Sequence, residues 1–248
     1  MAVLVTRPAP DNEATASALR DRGFEVLLAP MLRFESLAFR DDPDASYGAV
    51  IVTSANALRA VEPQLSGSRL LKLPLFAVGE HSAAAARAAG FGKVISADGD
   101  AAALRECVLK NVRAKQLKKK SALLYFAGSD ISRDLAGELS RHGFEVVTQT
   151  TYRMVPLSGL PRETREAFAT NRVEAVLHYS RRSASAFVDA VRTDAVEISA
   201  LAVPQCCLSA NVAAILREAG ATGVTAASSP DENALFGALE RALRSGLA

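Results

Sequence analysis

The chain has 248 residues, 49% apolar and 23% charged, with a net charge of +2. That balance excludes a disordered chain and allows one large or two ordinary folded domains. The charge is too small to point to a nucleic-acid partner. No apolar stretch reaches the roughly 18 residues of a membrane helix, and the opening apolar run is too short for a secretion signal, so a cytoplasmic protein without membrane contact is expected.

Residues 3–6 open with Val3, Leu4 and Val5, a run apolar at every position. Such a run reads as a strand covered on both faces, as in a parallel sheet. Residues 11–22 carry small or apolar side chains at helical spacing, with Asp11 placed to cap the start and Gly23 to end the helix. Residues 24–28 read as the next strand. Strands at 49–53, 75–78 and 93–95 then alternate with helices at 55–61, 80–89 and 101–112, and the later chain repeats that order. This alternation predicts an α/β fold of parallel sheets with helices on both faces, wound by right-handed crossovers.

The repetition is explicit. Residues 3–33 align without a gap over residues 123–153, and Gly-Phe-Glu-Val recurs at 23–26 and 143–146. Residues 49–57 pair with 175–183, and 76–94 with 206–224. The offset grows from 120 through 126 to 130, so each copy is domain-sized and the chain reads as an internal duplication. Two extended stretches, 31–37 and 147–155, hold equivalent places in the copies and are candidates for paired strands connecting two domains.

Several chemistries find no support. Cys107, Cys206 and Cys207 are odd in number and include an adjacent pair, which is no disulfide framework; Cys206 and Cys207 lie in a strand-like run, 203–208, and read as small core residues. His81, His142 and His178 are scattered, so no metal site is expected. No dinucleotide fingerprint, Walker loop or nucleophile elbow follows a strand, which favours a reaction without a cofactor. The densest positive patch, Lys115, Lys118, Lys119 and Lys120, reads either as a solvated loop or as an attraction for an anionic substrate.

In open parallel sheets, ligands bind beyond the carboxyl ends of the strands. The residues there are Thr6 and Arg7; Thr53, Ser54, Ala55 and Asn56; Gly79 and Glu80; Gly128, Ser129 and Asp130; Tyr179, Ser180, Arg181, Arg182 and Ser183; Ser209 and Asn211; and Ser228 and Ser229. Each tip runs into a helix start, where free N–H groups and partial positive charge suit carboxylates or phosphates. Singly, such residues merely cap helices. Repeated in both copies, they form a candidate site for a ligand carrying several anionic groups. Arg7, Arg181 and Arg182 are its cationic candidates by position, each equally readable as one half of a surface ion pair.

The ordered set of 3–8, 23–26, 52–57, 77–79, 143–146 running into 151–153, and 228–230 resembles the uroporphyrinogen-III synthase family over the whole chain. The resemblance implies two α/β domains joined by a two-stranded β linker, one of residues 1–34 with 154–248 and the other of 35–153. It implies cyclisation of hydroxymethylbilane, a linear tetrapyrrole with eight carboxylates, with loss of water, a spiro intermediate and inversion of the last ring. No cofactor or metal is implied, and the upstream hydroxymethylbilane synthase is a transient partner of an otherwise monomeric enzyme. Tyr152 matches the tyrosine that the family places near the reacting end, as a general acid or as a hinge-packing aromatic. The chain departs from the family at 178–182 and at 208–211, where an Ile-Gly-Pro type of turn is usual. A non-catalytic two-lobed binding protein for a polyanion fits the same tips. A twin-domain nucleotide-sugar transferase needs a diphosphate site, which the sequence lacks.

Overall fold

A computed structural model describes residues 1–97, 99–114, 117, 121–131 and 133–245. The patch of Lys115, Lys118, Lys119 and Lys120 lies outside them. The chain is an α/β protein with two parallel-rich sheets, and it divides into two compact units: Met1–Phe34 with Val155–Ala248, and Glu35–Met154. Among the described residues, no helix is long and apolar enough to cross a membrane.

The first unit starts with β1 (Ala2–Val5), α1 (Asp11–Arg20) and β2 (Glu25–Leu28), and β3 (Leu32–Ser36) leads out of it. The second unit holds β4 (Tyr47–Val52), α2 (Ala55–Leu65), β5 (Pro74–Val78), α3 (Gly79–Ala88), β6 (Lys93–Ala97), α4 (Ala101–Arg113), β7 (Ala122–Gly128) and α5 (Leu135–Arg141). β8 (Val146–Pro156) leads back to the first unit. There α6 (Arg162–Ala169), β9 (Val173–His178), α7 (Arg181–Thr193), α8 (Glu197–Ala202), β10 (Gln205–Cys207), α9 (Ala210–Glu218), β11 (Val224–Ala226) and α10 (Glu232–Ser245) complete the chain.

The strand orders are β11-β10-β9-β1-β2 and β3-β8-β7-β4-β5-β6. Every pairing among β1, β2, β9, β10 and β11 is parallel, as is every pairing among β4 to β8. β3 runs the other way along β8: Leu37 N donates to Thr151 O at 2.7 Å and Leu157 N to Met31 O at 3.0 Å, so residue numbers fall on one strand as they rise on the other. Each sheet winds outward from its middle in two directions. The reversal falls between β1 and β9 in the first sheet and between β4 and β7 in the second.

The second sheet shows why the sequence winds this way. Val50, Val52, Leu124 and Phe126 point to one face, against Leu58 and Val61 of α2 and Ala83 and Ala86 of α3. Ala49, Ile51, Leu123 and Tyr125 point to the other, against Leu104 and Val108 of α4 and Leu135 and Leu139 of α5. Strands buried on both faces need apolar residues at successive positions, which the runs supply. Phe126 is fully buried and meets Phe39 edge-on, with centroids 4.9 Å apart. Burying a side chain of that size contributes roughly 1.5–3 kcal/mol.

Helix ends depart from expectation in two places. Asp11 does not cap α1: Pro10 holds the cap position without a side-chain bond, and the Asp11 carboxylate reaches Arg7 at 3.4 Å instead. α2 runs through Pro63 to Leu65, beyond the predicted end, because Leu65 is anchored in the core with 1% exposure. In the first unit, His178 at the end of β9 is fully buried and bonds Gln205 of β10 at 2.8 Å.

Candidate functional site

At a reversal point the helices leaving the two middle strands lie on opposite faces, which opens a crevice over the strand ends. In the second unit α2 follows β4 on one face and α5 follows β7 on the other. A cavity of about 230 Å³ lies there, lined by Thr53, Ser54, Ala101, Tyr125, Gly128, Asp130, Ile131, Arg133 and Tyr152. Five expected site residues, Thr53, Ser54, Gly128, Asp130 and Tyr152, thus meet in one pocket.

Tyr152 reaches it through an irregularity in β8. Opposite β7, Ala127 pairs with Thr150 but Gly128 pairs with Tyr152, so Thr151 is an extra residue in the ladder. Thr151 is fully buried, its hydroxyl donating to Ala127 O at 3.2 Å. A bulge of this kind reverses the alternation of side chains beyond it. Val147 and Tyr152, five positions apart, therefore pack against the same core face. The ring settles over Gly128, where a Cβ would lie 2.7 Å from Tyr152 Cζ and 2.9 Å from its hydroxyl oxygen. Ser129 N donates to Tyr152 O at 2.9 Å, and the Ser129 hydroxyl donates to the same oxygen at 3.3 Å, so Ser129 holds the backbone of Tyr152.

Beneath the cavity, the Tyr125 hydroxyl lies 3.0 Å from Thr53 Oγ1. Burial pushes the Tyr125 phenol above its ordinary pKa; the bond to Thr53 works against that and the nearby Tyr152 adds to it. Arg133 is tied by Nε to Glu138 at 2.6 Å, and Arg105 bonds the same carboxylate at 2.8 Å. Arg133 first, and then Arg105, hold the Glu138 carboxyl below its ordinary value. Tyr125, Arg133, Ala101 and Ile131 were not among the expected site residues. For Arg133 the signal is its place just after the tip of β7; for Tyr125 it is an aromatic hydroxyl three residues before a strand end.

The other expected residues of this unit stand around the pocket. Ser54 caps α2, accepting from Asn56 N at 3.2 Å, while Asn56 Oδ1 accepts from Arg59 at 2.5 Å. Ala55 begins that helix and is buried. Gly79 opens α3 with a φ of +68°, a backbone turn that favours glycine. Glu80 is exposed and paired to Arg87 at 2.5 Å. Asp100 caps α4, accepting from Ala102 N and Ala103 N, so a carboxylate of the chain itself holds that helix start.

The reversal point of the first unit is filled by its own side chains. Arg7 stacks 4.9 Å from the Tyr179 ring centroid and pairs with Glu232 at 3.2 Å and Asp11 at 3.4 Å. Thr15 and Tyr179 donate to the same Glu232 oxygen at 2.6 and 2.9 Å. Burial first, and then Glu232, raise the Tyr179 phenol above its ordinary pKa. Of the two readings of Arg7, these contacts support the ion pair. Glu232→Ala strands the Tyr179 hydroxyl, while Thr15 keeps Asp11 O at 3.3 Å as an acceptor, and is expected to cost about 2 kcal/mol in urea unfolding; an unchanged midpoint would count against the network.

Ser180 caps α7, accepting from Ser183 N at 3.1 Å and donating to the Ser183 hydroxyl at 3.0 Å. Arg181 is the exposed first residue of that helix. Ser209 holds the cap position of α9 without a side-chain bond, and Asn211 is exposed in its first turn. Ser229 donates to Asp231, whose other oxygen accepts from Ala234 N at 2.9 Å. Burial raises the Cys206 and Cys207 thiols to about 12, which makes them inert core residues. A larger cavity of about 670 Å³, lined by Asn171, Ala195, Ile198 and Ala202 among others, lies toward the amino ends of β9 and β10, away from every tip. Among the described residues, no group of three or more His, Cys, Asp or Glu is arranged to hold a metal ion.

The family profile described as Uroporphyrinogen-III synthase HemD matches residues 13–237. A uroporphyrinogen-III synthetase from Helicobacter pylori is 19% identical, with a TM-score of 0.63 over 98% of this chain and 99% of that one. A mutant uroporphyrinogen III synthase from Thermus thermophilus is 18% identical, with a TM-score of 0.57 over 99% of this chain and 100% of that one. At these identities the likeness is one of fold. Among curated proteins no sequence matches.

Proposed function

The chain belongs to the uroporphyrinogen-III synthase HemD family, and on that premise we propose that it cyclises hydroxymethylbilane to uroporphyrinogen III. The observation that carries the reading is the pocket at the β4/β7 reversal, where Tyr152 stands over Gly128 beside Thr53 and Ser54. In the proposed reaction the Tyr152 hydroxyl donates a proton to the terminal hydroxyl of the substrate. The carbon–oxygen bond breaks, water leaves, and an electrophilic azafulvene remains. The substituted carbon of the far pyrrole attacks it, giving a spiro intermediate that fragments and recloses through the ring's free α-carbon with that ring inverted; the proton this carbon loses on reclosure balances the one that Tyr152 gave to the departing water. Spontaneous closure gives the symmetric isomer, so the protein's work is largely orientation. The helix start of α2 in the second unit is proposed to hold a substrate carboxylate, and the tips at Ser180, Arg181, Ser209, Asn211 and Ser229 of the first unit are proposed as anion-binding positions in their own right.

We further propose that the two units arose by duplication and that β3 with β8 serves as the linker between residues 1–34 plus 154–248 and residues 35–153. Matched along the sequence offsets, the two sheets have the same strand order, β2-β1-β9-β10-β11 against β8-β7-β4-β5-β6. The turn glycines agree as well: Gly23 and Gly143 both have φ of +87°, and Gly90 and Gly220 both have +96°. These matches support the duplication.

The test is incubation with enzymatically generated hydroxymethylbilane and separation of the isomers. Accumulation of the symmetric isomer alone rejects the synthase reading; tight binding of the bilane without turnover then identifies a binding protein. Tyr152→Phe is expected to lower kcat about 100-fold, the low end of what a lost general acid costs. A kcat equal to that of the unsubstituted enzyme removes the hydroxyl from the mechanism.

A further inference from the structure

The hydroxyls of Thr53, just past the end of β4, and of Tyr125, within the neighbouring β7, lie 3.0 Å apart on the same face of the second sheet. Both residues line the cavity, and Tyr125 is only 3% exposed. Among the described residues, this is the one hydrogen bond that either hydroxyl makes. Each hydroxyl carries one proton. Whichever donates to the other, one O–H remains uncommitted. If Thr53 donates, the Tyr125 proton is left over; if Tyr125 donates, the Thr53 proton is left over. Buried polar hydrogens are nearly always paired, so a spare donor in a cavity wall calls for an acceptor from the occupant.

We propose that the Thr53–Tyr125 pair is a second O–H donor of the site, beside Tyr152, and that it takes an oxygen acceptor of the bound ligand. The inference rests on the synthase reading above. Two oxygens of the substrate have the right chemistry: the hydroxyl that leaves as water, and a side-chain carboxylate. A donor on the leaving oxygen strengthens as charge develops and acts on kcat. A donor on a spectator carboxylate holds substrate and transition state alike and acts on KM.

The pair also dictates the form of the test. Tyr125→Phe leaves the Thr53 hydroxyl, and Thr53→Val leaves the Tyr125 hydroxyl, so each single variant keeps a misplaced donor. Thr53→Val/Tyr125→Phe keeps none. The double variant is expected to lose about tenfold in kcat, or to gain about tenfold in KM, with each single variant closer to the parent. The kcat arm assigns the leaving hydroxyl and the KM arm assigns a carboxylate. A double variant within twofold of the parent in kcat, KM and isomer ratio overturns the proposal, even if its Tm falls. Should that double variant not fold, Thr53→Ala/Tyr125→Phe, which also keeps no donor and keeps the ring, is read for the same quantities and against the same limits. An unsubstituted protein that yields only the symmetric isomer rejects the function instead, so the two failures are distinct.

Discussion

Gly128→Ala is expected to slow formation of uroporphyrinogen III about 100-fold while leaving the fold intact. The backbone at Gly128 is not in the left-handed region, so alanine is tolerated there by the chain itself. What forbids it is the Tyr152 ring, whose Cζ stands 2.7 Å from the new Cβ. Contacts that short do not persist, and the bulge at Thr151 leaves the ring little alternative, since the Tyr152 carbonyl is held by Ser129 N at 2.9 Å and the preceding Thr151 is anchored to Ala127 O at 3.2 Å. The ring must swing, taking its hydroxyl out of the pocket. A displacement of about 1 Å can cost about 100-fold in a reaction governed by orientation. Steady-state turnover and isomer ratio would show it, with thermal melting as the control for folding. The double variant Gly128→Ala/Tyr152→Phe should be no slower than Gly128→Ala alone, because the hydroxyl is already misplaced. Turnover of Gly128→Ala within twofold of the parent would falsify the placement of Tyr152.

The second large effect concerns pH and the first unit. His178 is fully buried between β1 and β10. Gln205 donates through Nε2 to Ala200 O at 2.7 Å and Val203 O at 2.8 Å, so its Oε1 accepts from the imidazole Nε2–H at 2.8 Å. The other ring nitrogen lies 3.5 Å from Thr6 Oγ1, and Phe187 meets the ring edge-on at 5.0 Å. No carboxylate bonds the ring among the described residues, and burial lowers its pKa from 6.5 to about 4. The folded state therefore binds fewer protons than the unfolded state between those values. Stability is complete above the unfolded value of 6.5 and is lost as pH falls toward about 4. Each pH unit in that window costs about 1.4 kcal/mol, or about 3 kcal/mol in all. Urea unfolding of the parent and of His178→Gln at pH 7 and pH 5 separates this from carboxylate titration. The parent should lose about 2 kcal/mol more than the variant over that interval. Equal losses would mean that the imidazole is not the group responsible.

Much of the secondary structure was legible because it follows from burial alone. Val3 to Val5 and Val50 to Val52 are apolar at every position since helices cover both faces of each sheet, and runs this short and rich in β-branched residues favour a strand over a buried helix. Helix stops were legible for a similar reason: Gly23 and Gly90 take positive φ values that other residues rarely adopt. The cap of α1 was not. Asp11 has the right chemistry, but its carboxylate is drawn to Arg7, a contact that the helix pattern does not contain. The role of Tyr125 was hidden because its partner, Thr53, lies 72 residues away, and a tyrosine in an apolar strand reads as core, which most of its ring is. The bulge at Thr151 was invisible because local composition carries no trace of an extra residue against a partner strand. By position Arg7 read equally as an anion clamp and as half of an ion pair, and only the approach of Glu232, 225 residues further along the chain, decides for the ion pair.

The division of the chain has a consequence for how it comes into being. The second unit is one unbroken segment, Glu35–Met154, whereas the first needs Met1–Phe34 together with Val155–Ala248. In the first sheet β1 is flanked by β2 and β9, and Ala2 aligns with Val173. During synthesis the middle segment is whole while β9 is still unmade, and β1 must wait with one hydrogen-bonding edge bare. Domains form as units as the chain emerges, and pairings of such long sequence separation form late. The order of translation thus makes the segment bearing Tyr152 and its pocket the earlier of the two to consolidate, and leaves β1 among the last strands to find its place.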